Sequence, residues 1–194
     1  LIVIHMLHDI VSLIKRKLGV CLKILILALV CVMNFSCSHK KKFNKTVANV
    51  DIQRFMGKWY VTAGRLTFME EGAHNAIEIY SWNGKEDRID IDFRLRKDSF
   101  SGDEKVIPQK AWIQNKKTNA HWKVSPFWPI KFNYYVIDLA SDYSWTVIGV
   151  PGQEWVWIMS RDWKMEDEEL NLIIRRIETM GYDTKDINRV PQKW

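Results

Sequence analysis

One segment, Arg88-Ile89-Asp90-Ile91-Asp92-Phe93-Arg94-Leu95-Arg96, alternates apolar and charged side chains without a break. Successive side chains of a β-strand point to opposite faces, so this pattern places Ile89, Ile91 and Phe93 on one face and the charges on the other. A strand with one buried and one solvated face is typical of an antiparallel sheet. The segment therefore predicts a half-buried antiparallel strand.

Similar short segments occur on both sides of this strand. Asn83-Gly84 is a hairpin signal before it, and Pro151-Gly152 separates two later segments. The predicted strands are residues 58–64, 75–82, 88–96, 106–115, 120–124, 132–139, 145–150 and 154–160. Short strands at this spacing favour an all-β barrel or sandwich, and a closed barrel leaves no exposed sheet edge.

A single helix is predicted after the strands, from Glu166 to Met180. Its apolar residues have the spacing of one face of an amphipathic helix, namely Leu170, Ile173, Ile174 and Ile177. Gly181 is suited to the position after the last helical residue, where a left-handed backbone is common. The apolar face must pack on another surface, and the outside of a barrel would serve, although several folds share this order of elements.

The charge distribution argues against nucleic-acid binding. The formal net charge is +6, but residues 1–36 contribute +3 and residues 37–45 contribute +4, which leaves −1 for the remainder. A nucleic-acid-binding domain needs a basic surface to contact phosphates. We therefore expect no nucleic-acid partner for the folded part of the chain.

The sequence also lacks the usual signatures of catalysis. The three cysteines, Cys21, Cys31 and Cys37, all precede the folded part, so no thiol nucleophile is expected there. The only histidines after residue 39 are His74 and His121, which lack metal-ligand spacing. No phosphate-binding glycine loop or nucleophile elbow is present. We expect no metal, no cofactor and no enzymatic activity.

The N-terminal residues have the pattern of a lipoprotein signal. Basic residues 15–17 and Lys23 precede an apolar run, residues 24–33, which is shorter than the roughly 20 residues of a membrane span. Ser36-Cys37 then resembles a bacterial lipobox, so Cys37 is the expected lipidation site. The alternatives are a signal peptide cut nearby with Cys37 left free, or an uncleaved anchor.

These features divide the chain into three parts. Residues 1–36 are the predicted signal peptide, of which residues 1–14 are an alternative upstream extension of the reading frame. Residues 37–48 are the predicted lipid-anchored, flexible tether, and residues 49–194 are the folded domain. Ser38 stands where an aspartate commonly retains bacterial lipoproteins in the inner membrane, so sorting to the outer membrane is expected.

Three further motifs resemble those of the lipocalin family, in the same order and over roughly residues 50–192. They are Gly57-Lys58-Trp59-Tyr60, Ser141-Asp142-Tyr143 and Trp157-Ile158-Met159-Ser160-Arg161. The residues of these motifs are most similar to those of bacterial outer-membrane lipoprotein lipocalins and of apolipoprotein D. The resemblance implies an all-β fold: an eight-stranded antiparallel up-and-down β-barrel with one C-terminal α-helix packed outside.

The resemblance also assigns structural roles to the motif residues Gly57, Trp59, Asp142, Tyr143 and Arg161. Gly57 allows a tight entry into the first strand. Trp59 is expected to plug the closed end of the barrel. Arg161 is expected to lie over the indole as a cation–π pair worth about 1–2 kcal/mol when shielded from water. The functional alternative is that Trp59 contacts ligand.

The family binds small apolar molecules, so the resemblance implies a lipid-anchored carrier or store for a fatty acid, phospholipid or lysophospholipid in envelope maintenance. Candidate ligand contacts are Tyr80, Trp82, Ile89, Ile91, Phe93, Tyr135, Ile137 and Leu139. The alternative for each is that it fills the interior as core. A tetrapyrrole or pigment binder and an interaction protein with a filled barrel remain alternative functions. A homodimer is an open alternative for the assembly.

Two features of the sequence do not fit this pattern directly. Glu78 shares a strand face with Tyr80 and Trp82, and because a lone buried charge is costly we expect a local twist or bulge to place it in solvent. The alternatives are a position near the polar mouth, or a buried carboxyl that is neutral or paired. Phe127-Trp128 is interpreted as a loop at the open end that contacts a bilayer, with a packed turn as the alternative.

Overall fold

The computed structural model describes residues 42–194, which lie in the second of two compact units, Lys41–Trp194. The predicted signal peptide and Cys37 lie outside the described residues. The strands are β1 Gly57–Arg65, β2 Ala73–Asn83, β3 Arg88–Lys97, β4 Glu104–Ile113, β5 His121–Phe127, β6 Ile130–Leu139, β7 Trp145–Gly149, β8 Val156–Ser160 and β9 Asn188–Arg189. The helices are α1 Ile52–Phe55, α2 Asp167–Thr179 and a 3-10 turn, Phe68–Glu70.

The first eight strands form a closed antiparallel barrel. Each strand pairs with the next in the chain, and β1 also pairs with β8, so the sheet has no free edge among these eight. The short strand β9 adds to β1 through Ala63 and Gly64. The predicted up-and-down barrel is therefore confirmed, with one extra strand after the helix.

The two ends of the barrel differ. Because consecutive strands run in opposite directions, the loop after β1, residues 66–72, lies at the same end as the β3–β4, β5–β6 and β7–β8 connections. We call this the open end. Helix α1 immediately precedes β1 and lies at the opposite, closed end.

Helix α2 packs on the outside of the barrel, as predicted. Ile173 and Ile177 lie in a second apolar cluster with the outward side chains Val147 and Ile158, separate from the barrel interior. Gly181 follows the helix with a φ of +90°, the left-handed conformation that glycine adopts at low cost.

Two side chains of β6 have the opposite orientation to the one expected, and a bulge changes the phase of the strand after them. Its register with β7 shifts between Val136 and Asp138, and Val136 lies in the inner cluster while Ile137 lies in the outer one. Tyr135 also packs against the outer cluster, whereas Leu139 packs against the inner one. The prediction that Tyr135 and Ile137 point inward is therefore wrong.

The described part of the predicted tether packs on the barrel. The Phe43 ring is buried and contacts Tyr182 edge to face at 4.9 Å, and the Phe43 N–H donates to the Pro151 carbonyl at 2.8 Å. The Val47 N–H donates to the Val136 carbonyl at 3.0 Å. A flexible tether over the whole of residues 37–48 is therefore wrong for residues 43–47, because backbone hydrogen bonds and one apolar side chain hold them.

Candidate functional site

The closed end is sealed by the Trp59 indole beneath the Arg161 guanidinium. The guanidinium carbon lies 3.7 Å from the centre of the indole, which is fully buried. Arg161 also donates hydrogen bonds of 2.7–3.1 Å to the carbonyl groups of Arg54, Phe55, Met56 and Lys58. Partial burial lowers the pKa of Arg161 to about 10, which still leaves it charged at neutral pH. The pair joins α1, β1 and the end of β8.

Gly57 makes this approach possible. Its φ is +95°, and a Cβ at this position would lie 3.4 Å from Nη1 of Arg161. A larger residue would therefore be strained in its backbone and would crowd the guanidinium.

The second motif ties the β6–β7 turn to the segment before β1. The Asp51 N–H donates to the Tyr143 hydroxyl at 2.8 Å, and the Arg54 guanidinium lies 4.1 Å from the centre of the Tyr143 ring. The Asp142 carboxylate accepts from the N–H and the hydroxyl of Ser144, and these hydrogen bonds lower its pKa. Asp142 and Tyr143 thus organise the turn, and Tyr143 also packs against the edge of the inner apolar cluster.

Aromatic side chains fill the half of the barrel next to the closed end, which we call the lower half; the half next to the open end is the upper half. Phe55 contacts both Tyr80 and Trp122 edge to face, with ring centres 5.4 and 5.2 Å apart. The Trp122 ring stacks on Tyr134 at 5.5 Å, and its N–H donates to the Asn119 carbonyl. This packing leaves the upper half of the barrel as the place for a ligand.

A cavity of about 80 Å³ lies in the upper half and is lined mainly by apolar side chains. Its walls include Phe93, Ile107, Val124, Phe132, Val150, Trp155 and Trp157. Phe68 and Phe127 line it at the open end, and the polar groups that reach it include Glu70, Glu78 and Tyr134. An apolar pocket with a few placed polar groups is typical of a small-molecule site.

The eight predicted ligand contacts fall into three groups. Phe93 lines the cavity, and Tyr80 supplies a hydroxyl beneath it. Others pack in the inner cluster without lining the cavity, namely Trp82, Ile89, Ile91 and Leu139. Tyr135 and Ile137 lie outside, beside α2.

Sequence reasoning missed Phe132 and Tyr134, which line the cavity from β6. Alternation alone could have placed them inward, because Lys131 and Asn133 flank Phe132. The signal was obscured because Tyr135 is also apolar and packs against the outer cluster.

Glu78 lies inside the barrel, so the expectation of a solvent-exposed position is wrong. Its exposure is 4%, and Oε2 accepts hydrogen bonds from the hydroxyls of Tyr80 and Tyr134. The register shift in β2 lies between His74 and Ile77, ahead of Glu78, so the carboxyl keeps the inward phase of Tyr80. Burial, and to a smaller extent the charge of Glu70, raises the pKa of Glu78 to about 8, and the Tyr134 hydrogen bond acts in the opposite direction.

A second carboxyl, that of Glu70, reaches the cavity from the 3-10 turn. Its Oε2 accepts from the N–H and the hydroxyl of Thr67 at 2.7 and 2.8 Å, and its Oε1 accepts from the Trp157 indole N–H at 3.0 Å. Burial raises the pKa of Glu70, while these hydrogen bonds lower it. The sequence around Glu70 resembles a solvated loop, so no pattern marked this residue.

The rim of the open end is apolar and exposed. Phe68 is 80% exposed and Trp128 is 77% exposed, and Phe127 and Ile130 are also exposed. Trp128 lies in the β5–β6 turn, and Nζ of Lys131 lies 5.6 Å from the centre of its ring. The segment expected to form a loop at the open end is thus a short turn that projects at that end.

Neither histidine of the folded part lies in the cavity. His74 hydrogen bonds to the Gly72 carbonyl, and His121 hydrogen bonds to Asn133 and contacts the Tyr135 ring. Across residues 42–194, no group of three His, Cys, Asp or Glu side chains is arranged to hold a metal ion. Over the same range, none of the helices has the length and apolar character needed to cross a bilayer.

Comparison with known proteins identifies the family. Residues 50–192 match the family model described as a lipocalin-like domain. The outer membrane lipoprotein Blc of Vibrio cholerae is 26% identical over 176 residues, 89% of this chain and 100% of that protein. Temperature-induced lipocalin-1 of Arabidopsis thaliana is 26% identical over 162 residues, 79% of this chain and 85% of that protein. Insecticyanin from the tobacco hornworm Manduca sexta has a similar structure, with a TM-score of 0.58 and 15% identity over 76% of this chain and 84% of that chain. The family model spans nearly all of the barrel and its outer helix, and the chain belongs to the lipocalin family.

Proposed function

We propose that the protein is a lipid-anchored carrier or store that holds a small hydrophobic ligand, without chemically changing it, for maintenance of the bacterial envelope. The observation that carries the proposal is the apolar cavity lined at the open end by Phe68 and Phe127. Relatives named outer membrane lipoproteins support an outer-membrane location, with Cys37 as the lipidated residue. The ligand class is a fatty acid, phospholipid, lysophospholipid or another slender amphiphile.

The cavity dimensions favour a ligand with a narrow end. At about 80 Å³ the cavity is smaller than an engineered apolar cavity of about 150 Å³ that binds benzene. One end of a slender amphiphile therefore occupies it, and the rest extends past Phe68 and Phe127. A flat pigment would require a larger rearrangement of the aromatic walls.

The proposal is tested by native mass spectrometry of the full-length protein extracted from membranes. We expect a co-purifying amphiphile in the wild type and its loss in Val124→Phe, which fills the cavity, or in Ile107→Phe if the first variant is unstable. Leu172→Phe is the matched control, because Leu172 is exposed on α2. A wild-type protein free of ligand that also fails to take up added amphiphiles would contradict the proposal.

The filled lower half of the barrel favours a second candidate, an interaction protein that acts through its outer surface. In that case, substitutions at exposed positions such as Leu172 abolish partner capture, and filling the cavity at Val124 has no effect. The carrier function predicts the reverse: filling the cavity at Val124 abolishes ligand binding, and a substitution at Leu172 has no effect.

A further inference from the structure

The polar groups of the cavity are all acidic or neutral. Of the residues that line it, Glu70 and Glu78 are the only ionisable groups apart from Tyr134, and none is lysine, arginine or histidine. A ligand carboxylate placed here would meet two carboxyl groups in a medium of low dielectric constant, where like charges repel strongly. The cavity is therefore unsuited to an anionic ligand end.

Only one of the two carboxyl groups has an oxygen available to a ligand. Both oxygens of Glu70 accept hydrogen bonds from Thr67 and Trp157. In Glu78 the two tyrosine hydroxyls bond to Oε2, and within residues 42–194 Oε1 has no hydrogen-bond partner. No fully buried side-chain oxygen in that range lacks a partner, so Oε1 of Glu78 borders open space in the cavity.

The walls beside Glu78 are aromatic. Tyr134 is stacked between Trp122 and Trp157, at 5.5 and 6.1 Å, so the faces of its own ring are covered. The Trp155 and Trp157 rings line the cavity, and Trp155 meets Phe132 edge to face with ring centres 5.6 Å apart. The faces of such rings attract an ammonium group, and the attraction is larger where water is excluded. A carboxyl group among aromatic faces is the combination that recognises an organic cation.

We propose that the cavity takes the ammonium end of an amine-bearing amphiphile, with Glu78 as its counter-ion and the Trp155 and Trp157 rings as its walls. The inference rests on the proposed function, since it specifies the ligand of the same cavity. It narrows the ligand from apolar molecules in general to those whose polar end is a cation.

Binding of a cation should be accompanied by release of a proton. The groups that face Glu78 are Tyr80, Tyr134 and Glu70, none of which supplies a positive charge. At pH 7 the carboxyl is therefore mostly protonated before binding, because its pKa is about 8. An ammonium group at Oε1 stabilises the carboxylate, so the carboxyl proton passes to solvent and an ion pair remains.

The test compares three ligands with one tail, hexylamine, hexanol and hexanoate, by isothermal titration calorimetry on the full-length protein in detergent at pH 7. We expect hexylamine to bind at least about tenfold more tightly than hexanol, and hexanoate more weakly than both. Repeating the titration in two buffers of different ionisation enthalpy should reveal proton release with hexylamine alone.

Glu78→Gln should abolish the preference for the amine and the proton release, while hexanol affinity changes by less than about twofold. Glu71→Gln is the matched control, because Glu71 is exposed and does not line the cavity. If Glu78→Gln does not fold, the order of the three ligands by affinity for the wild-type protein still tests the inference. Hexanoate binding as tightly as hexylamine overturns this inference but leaves the carrier function standing, whereas failure of all three ligands overturns both.

Discussion

The Arg161 guanidinium covers the face of the Trp59 indole at 3.7 Å while donating to the backbone that leads into β1. Arg161→Ala removes the stacking and leaves several carbonyl groups without their donor. We expect the free energy of unfolding to fall by roughly 1–3 kcal/mol. Urea denaturation of the two proteins measures the difference.

Arg175→Ala is the control for this experiment. Arg175 is exposed on α2, so its removal should change stability by less than about 0.5 kcal/mol. Equal stability of Arg161→Ala and the wild type would show that the seal of the closed end does not depend on this pair.

Glu78 should make the stability of the protein depend on pH. Its pKa is raised to about 8 in the folded state, from the ordinary value of 4.5. Between these values the folded state holds a proton that the unfolded state has lost, so the contribution to stability is fully present below pH 4.5 and is lost as pH rises to about 8. Wild-type melting temperature should therefore fall over this range more steeply than that of Glu78→Gln.

Glu71→Gln serves again as the control, because this exposed carboxyl should leave the wild-type slope unchanged. The measurement is a series of thermal melts from pH 5 to pH 9, with the variants compared at each pH so that other titrating groups cancel. Parallel curves for Glu78→Gln and the wild type would mean that Glu78 titrates in the normal range.

Cys37→Ser tests the anchor. If Cys37 carries the lipid, the serine variant should move from the membrane fraction to the soluble fraction, since serine has no thiol to form the thioether with the lipid. Cys31→Ser, inside the apolar run of the predicted signal peptide, should remain with the membranes. Unchanged membrane retention of Cys37→Ser would exclude anchoring through this residue.

The open-end rim should contact lipid directly. Phe68→Ala combined with Trp128→Ala removes the two most exposed aromatic side chains there. In the Cys37→Ser background we expect weaker sedimentation with vesicles of phosphatidylethanolamine and phosphatidylglycerol, by about tenfold. Leu172→Ala, on the outer helix, is the control, and equal loss in both variants would argue against a specific role for the rim.

The alternation of apolar and charged residues was sufficient to predict a β-barrel, because one face of β3 is buried along its whole length. It was insufficient for β6, where Tyr135 and Ile137 pack against α2 and are as apolar as the residues that face inward. A period of two carries no information on which face is the interior when both faces are buried. The bulge at Val136 then changes the phase within the same strand.

The carboxyl groups of the cavity were harder to predict than its apolar walls. The cost of burying Glu78 suggested that it faces solvent, but the hydroxyls of Tyr80, two residues along the same strand, and of Tyr134, on β6, supply hydrogen bonds that reduce this cost. The Tyr134 partner becomes visible only when β2 and β6 are placed across the barrel from each other. The same holds for Glu70, whose partner Trp157 comes from β8.

The fixed position of Phe43 has a further consequence for how the protein would be oriented on its membrane. The Phe43 N–H is fixed to Pro151 in the β7–β8 connection, and Val50 is fixed to Thr118 in the β4–β5 connection at the other end. Cys37 lies six positions before Phe43, a span of at most about 20 Å when extended. A lipid on Cys37 would thus hold the open end of the barrel near the bilayer surface. A ligand could then pass between the bilayer and the barrel without crossing bulk water.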